Sequence, residues 1–173
     1  MVRVDVIAAS QLGALRDALA ALLIETVASG ASVGFAHPLS RADAERYWEG
    51  VVDDAAQGGV VVLAACAGDR VVGSVQLCRS RYPNGRHRGE VAKLMVQPSM
   101  RRRGIGGALL GALEAAARDI GLTLLFLDTQ VGSAAEALYA QAGWTRAGVI
   151  PRFAYRPDGG GPDGTALWYR ELD

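Results

Sequence analysis

The chain has 173 residues, half of them hydrophobic, with 18 basic and 18 acidic side chains. That balance fits a single folded domain over residues 1–173 and excludes general disorder. A chain of zero formal net charge has no broad field for a phosphate polymer, so no nucleic-acid partner is expected and any anion site has to be local.

In chain order, VRVDVIA alternates apolar and polar residues as a half-buried strand does, and Ser10 is predicted to cap a helix running to about Ala28. SGASVGFAHPLS reads as a loop, and Ser40 as the cap of a second helix that ends near Gln57 at Gly58 and Gly59. VVVLAACA and VVGSVQLCR are strands joined at Gly68-Asp69-Arg70, which predicts a hairpin. SRYPNGRHRG is a turn, EVAKLMV is a strand ended by Pro98, and RRRGIGGALLGALEAAARDIG is a loop leading into an amphipathic helix closed by Gly121. LTLLFLDT is apolar throughout and therefore predicted to be central. A helix capped by Ser133 and stopped by Gly143 follows, then WTRAGVIPRFAY and TALWYREL as strands around RPDGGGPDG. The order β-α-α-β-β-β-α-β-α-β-β predicts an α/β protein, a mixed sheet with helices packed on it.

The amino terminus lacks the charged start and cleavage site of a signal peptide, and no apolar run is long enough to span a bilayer. A cytoplasmic protein with no membrane partner is expected. Cys66 and Cys78 lie in separate strands without metal-ligand spacing, so both are expected to be reduced and buried, and no metal is expected. Lys93 is the only lysine. The arginine, alanine and glycine bias suggests a GC-rich bacterial genome.

The sharpest local signal is Arg101-Arg102-Arg103-Gly104-Ile105-Gly106-Gly107, set between a strand and a helix. A helix start gathers free backbone N–H groups and the positive end of the dipole, yet here three cations crowd it and the first acid is Glu114. The glycines let a ligand approach the backbone, although each costs a helix up to about 1 kcal/mol relative to alanine. Together these features predict a phosphate or pyrophosphate site. No Lys-Ser or Lys-Thr follows, which argues against a nucleotide-hydrolysing loop, and the position along the chain argues against a dinucleotide fold.

Two carboxylates stand out in strands. Simple alternation puts Glu90 on one face with Ala92, Leu94 and Val96, where apolar neighbours would raise its pKa toward that of a useful base; the competing reading pairs it with Arg86 or Arg88. Asp128 ends an otherwise apolar strand, a costly place for a charge unless it is hydrogen-bonded or used.

The run Arg101 to Gly106 resembles the pyrophosphate signature Q/R-x-x-G-x-G/A of the GCN5-related N-acetyltransferases. The later segment Gly132-Ser-Ala-Ala135-Glu-Ala-Leu138-Tyr139 resembles that family's N-x-x-A-x-x-L-Y helix, with Gly132 in place of Asn, and Gly143-Trp144 matches its Gly-aromatic pair. The resemblance implies acetyl-CoA as cosubstrate, with Leu94, Met95 and Val96 beside pantetheine, residues 101–107 on the pyrophosphate, and Ser133 supplying a contact that Asn would make. It further implies that the strands holding Glu90 and Asp128 splay apart, that Glu90 is a base, that Tyr139 protonates the departing thiolate, and that the backbone N–H of Met95 or Val96 polarises the thioester. The runs ETVASGASVGF, PNG, EVAKLMVQPS, LDTQVGSAAEALY and RPDG are similar to a subgroup, the tabtoxin-resistance acetyltransferases, in which a strand glutamate and a strand aspartate are the proposed catalytic pair. The implied acceptor is a small-molecule amine. Loops 29–39, 80–88 and 155–164 are expected to form its pocket, and Arg152 and Arg156 are read either as partners of a substrate carboxylate or as plain surface charges. The rival readings are a non-catalytic acyl-CoA-binding module and a protein or peptide acetyltransferase.

Overall fold

The alternating amino-terminal segment forms β1 (Val2–Ile7), followed by α1 (Ala9–Ala28) and α2 (Arg41–Ala56). The hairpin is β2 (Val60–Ala67) and β3 (Arg70–Arg79), antiparallel as expected. Then come β4 (Arg88–Val96), α3 (Ile105–Asp119), β5 (Leu124–Gln130), α4 (Ala134–Gln141), β6 (Thr145–Ala154) and β7 (Asp163–Glu171). This computed structural model describes residues 2–172. The element order is the expected one, and the strands form one mixed sheet in the order β1-β2-β3-β4-β5-β7-β6.

Each face of the sheet carries its own apolar core. On one face Leu12, Leu19 and Leu23 of α1 and Trp48 of α2 pack on Val62, Ala64 and Met95. On the other, Leu109, Leu110 and Leu113 of α3, with Tyr139 and Trp144, pack on Leu63, Val75, Leu77, Leu125 and Leu127. β5 is interior, between β4 and β7, as its apolar composition predicts. The Ser40 hydroxyl accepts from the Asp43 N–H at 3.1 Å and that of Ser133 from the Glu136 N–H at 3.2 Å, so both predicted caps are in place. Ser10 does not cap α1. The helix starts at Ala9 behind Ala8, which has no side chain to accept a bond.

Glu114 ties the α3 face together, accepting from the Trp144 indole N–H at 2.8 Å with the Arg170 guanidinium 3.7 Å away. Arg170 also donates to the Ala142 carbonyl at 2.7 Å, so helix, turn and β7 meet at one buried acid. Glu114→Ala strands the indole donor and a half-buried guanidinium and is expected to lower unfolding stability by about 2 kcal/mol. Unchanged urea midpoints would remove this account.

Two irregularities in β4 build the site. Its parallel pairing with β5 covers only Arg88–Glu90 against Leu124–Phe126, after which the strands diverge. The β5-facing edge of β4 beyond Glu90 therefore lacks a strand partner and lines an opening. The second irregularity is a bulge. Ser74 pairs with Met95 and Gln76 with Ala92, so Lys93 and Leu94 together stand against Val75, and Lys93 takes φ +51°.

Candidate active site

The opening between β4 and β5 is a cleft of about 1010 Å³ that runs from the start of α3 past both strands to the turns after α1 and β6. Its α3 end presents a helix N-terminus to the cleft. Gly104 caps the helix in a left-handed conformation, φ +79°, without a side-chain bond, and the first turn contains no acid. The first backbone bond of α3 is from the Ala108 N–H to the Gly104 carbonyl, so the N–H groups of Ile105, Gly106 and Gly107 are free of intrahelical partners.

These glycines do different jobs. A Cβ on Gly106 would lie 3.1 Å from Leu138 Cδ2, so its smallness also lets α4 pack on α3; at Gly107 the nearest atom is 3.9 Å away and the position is exposed. The three arginines separate as well. Arg101 donates to the Val96 carbonyl at 3.1 Å and to Ser29 Oγ at 2.8 Å, bracing β4 against the end of α1. Arg102, at φ +63°, lines the cleft, whereas Arg103 does not and lies 3.4 Å from the Ser99 carbonyl. Leu94, Met95, Val96, Gly104, Ile105, Gly106, Gly107 and Ser133 all line the cleft. Gly132, where the resembled motif carries Asn, has φ +76°, a conformation that Gly and Asn both tolerate; its N–H donates to Glu136 at 2.7 Å.

Glu90, Asp128 and Tyr139 border this same cleft. The expected surroundings of Glu90 need correction. The bulge at Lys93 reverses the alternation, so Leu94 and Val96 pack on the α3 core while Met95 joins the α1 core, and Glu90 is exposed instead of sitting among Leu94 and Val96. It pairs with neither Arg86 nor Arg88, since no ion pair involving it occurs among the described residues.

In β5, Leu125 and Leu127 point into the α3 core, which turns Phe126 and Asp128 to the opposite face. Asp128 is hydrogen-bonded, its Oδ2 accepting from the Thr165 hydroxyl at 2.8 Å. Tyr139 is buried, its ring 5.7 Å from that of Trp144. Burial first, and then the negative charge of Asp128, raise its hydroxyl pKa above the ordinary tyrosine value, so it stays protonated.

Of the loops expected around an acceptor, residues 29–34 border the cleft and so do Tyr155, Arg156 and Asp163 of the later loop. Residues 80–88 do not; several instead edge a separate hollow beside Gly58 and Gly59. Arg152 lies outside the cleft, and Arg156 is engaged with Asp158 at 3.5 Å and Asp163 at 3.8 Å. Sequence reading missed Lys93 as a lining residue. Its being the only lysine was the available signal. The cysteines are free and only partly buried, and burial pushes the Cys78 thiol up to about 11. Among the described residues no cluster of His, Cys, Asp and Glu could hold a metal, and no helix is long and apolar enough to cross a membrane.

Solved structures share this architecture over the whole chain. The Salmonella typhimurium protein yncA, solved with its cofactor acetyl-CoA, superposes with TM-score 0.79 at 17% identity, covering 100% of this chain and 95% of that one. A ribosomal-protein-alanine N-acetyltransferase from Brucella melitensis gives 0.79 at 22% identity, with 98% and 99% covered. A protein named as a phosphinothricin N-acetyltransferase gives 0.78 at 18%, with 100% and 99% covered. At these identities the likeness is one of fold, and the names attached to it span protein and small-molecule acceptors. The family assignment comes from the sequence model of the acetyltransferase (GNAT) family, which matches residues 24–144, from the end of α1 through the Gly143-Trp144 pair. By that match, and with the splayed strands and the glycine-rich helix start in place, the chain belongs to the acetyltransferase (GNAT) family.

Proposed function

We propose that this acetyl-CoA-dependent N-acetyltransferase works as one domain on the amine of a small, amino-acid-like molecule, with toxins of the tabtoxinine-β-lactam type as the model acceptor and self-protection as the outcome. One observation carries the reading. Where β4 and β5 part at Glu90, a single cleft joins the anion-binding start of α3 to Glu90, Asp128 and Tyr139. The family supplies acetyl-CoA as donor. Arg101, Arg102 and residues 104–107 would hold its pyrophosphate, the unpartnered edge of β4 at Leu94, Met95 and Val96 its pantetheine, and Ser133 and Tyr139 the far wall.

In this arrangement Glu90 takes the proton from the attacking amine, and its exposure leaves it in exchange with water. Asp128, fixed by Thr165, holds the acceptor's ammonium before deprotonation. Tyr139, protonated in the resting site, passes that proton to the departing sulfur and regains one from water as the thiol leaves. A backbone N–H at Met95 or Val96 polarises the carbonyl under attack. The similarity of ETVASGASVGF, EVAKLMVQPS and LDTQVGSAAEALY to the tabtoxin-resistance subgroup supports a small acceptor.

The test is a thiol-release assay with small amino acids, polyamines, aminoglycosides and lysine peptides in competition. Small amino acids are expected to win by about tenfold or more in kcat/KM, worth about 1.4 kcal/mol of transition-state binding. A preference for lysine peptides would refute the small-molecule reading, and one for polyamines would refute the toxin reading alone.

A further inference from the structure

Lys93 is the chain's only lysine, and it stands at the bulge of β4 in a left-handed conformation, φ +51°, that costs a side-chain-bearing residue about 1–2 kcal/mol. Such strain persists where the surroundings hold it and is common at ligand sites. The surroundings are specific. Its Nζ lies 5.9 Å from the centroid of the Phe35 ring and 5.7 Å from that of Tyr47. Those rings stack edge to face at 5.2 Å, and the Tyr47 hydroxyl donates to Gln76 Oε1 at 2.9 Å, which anchors the aromatic pair to β3. Gly34, at φ +86°, closes over the ammonium: a Cβ there would be 3.6 Å from Nζ.

Two rings attract a cation but accept none of its three N–H groups in a strong bond. Lys93 makes no ion pair and no side-chain hydrogen bond among the described residues, although Glu90 and Asp128 border the same cleft. The other cations of the cleft are occupied or distant. Arg101 is bound to Val96 and Ser29, Arg156 to Asp158 and Asp163, and Arg102 stands at the start of α3. Glu90 and Lys93 lie three residues apart on β4 and border the same cleft.

We infer that Lys93 reads the acid group of the acceptor: its ammonium, held over Phe35 and Tyr47 in the cleft that Glu90 also borders, binds the carboxylate of a free amino acid or an equivalent acid group. This rests on the acetyl-transfer reading and narrows its substrate class. A molecule offering an amine to Glu90 and an acid to Lys93 satisfies both; its amide leaves the ammonium without a counter-charge, and a polyamine adds repulsion. The carboxylate role expected of Arg152 or Arg156 thus passes to Lys93.

One lysine makes the test direct. Protein grown with [13Cε]lysine has a single labelled side-chain signal in a proton–carbon correlation spectrum, to be followed in saturating CoA while free α-amino acids and the matched α-carboxamides are titrated. At least one acid is expected to shift the signal saturably and its amide not. In Lys93→Met, which keeps the stem and removes the charge, calorimetry should show affinity for that acid at least tenfold weaker with CoA affinity unchanged. The inference is overturned if no acid moves the signal, if acids and amides move it alike, if CoA alone moves it and acids add nothing, or if the methionine variant binds the acid normally. An acid that shifts the signal but is never acetylated leaves Lys93 its role and removes the transfer reading. An amide acetylated as fast as its parent acid does the reverse.

Discussion

Glu90→Gln is expected to lower kcat about a hundredfold at neutral pH while acetyl-CoA affinity stays within twofold, because losing a general base acts on the transition state and leaves cofactor contacts alone. The substitution is nearly isosteric, and Glu90 is exposed and unpaired among the described residues, so folding should not change. Stopped assays of turnover, with calorimetric titration of acetyl-CoA on the same preparations, separate the two quantities. Full activity in this variant together with a large loss in Asp128→Asn would move the base to Asp128, whose bond from Thr165 already holds it at the cleft. Tyr139→Phe should cost less, about tenfold, since water can protonate a thiolate; its loss should fall on kcat alone.

Gly107→Glu is expected to weaken acetyl-CoA binding at least tenfold while slightly raising the melting temperature. The two effects have opposite signs for separable reasons. Glutamate is a better helix residue than glycine by nearly 1 kcal/mol, and an acid in the first turn of α3 offsets the helix dipole in the empty protein. A Cβ at Gly107 meets nothing closer than Leu138 Cδ1 at 3.9 Å, so the fold has room for it. In the complex, that same carboxylate opposes phosphate at the free N–H groups of Ile105, Gly106 and Gly107. Gly106→Glu would be a poorer probe, because a Cβ there comes within 3.1 Å of Leu138 and would disturb the α3–α4 packing as well. Tighter or unchanged binding in the Gly107 variant, measured by calorimetry, would remove the anion site from the start of α3.

The order of elements was legible because each signal for it is local. Ser40 and Ser133 cap the helices that follow them, Gly121 and Gly143 take φ +79° where helices end, and the apolar run of β5 lies inside the sheet. The open helix start at Gly104 was legible for the same reason, since a glycine-rich helix start crowded by arginines is a contradiction within seven residues. Ser10 misled because a cap acts through one turn of backbone, and nothing local distinguishes a helix starting at Ala9 from one starting two residues later.

What the amino-acid sequence by itself determined, then, is the mixed α/β order, the glycine-rich helix start crowded by arginines, the family resemblance and Glu90, Asp128 and Tyr139 as the groups to watch. Only the tertiary structure decided how they meet. The parting of β4 from β5 after Glu90 depends on strands 36 residues apart in register, Glu90 against Phe126 being two parts of one pairing separated by α3. The bulge at Lys93 is set by β3, through the mismatch between Ser74–Met95 and Gln76–Ala92, and no periodicity within β4 announces it. That one extra residue turned Leu94 and Val96 away from Glu90 and brought the sole lysine under Gly34, Phe35 and Tyr47. Long-range pairing, which a local pattern cannot encode, therefore decided the surroundings of Glu90 and of Lys93.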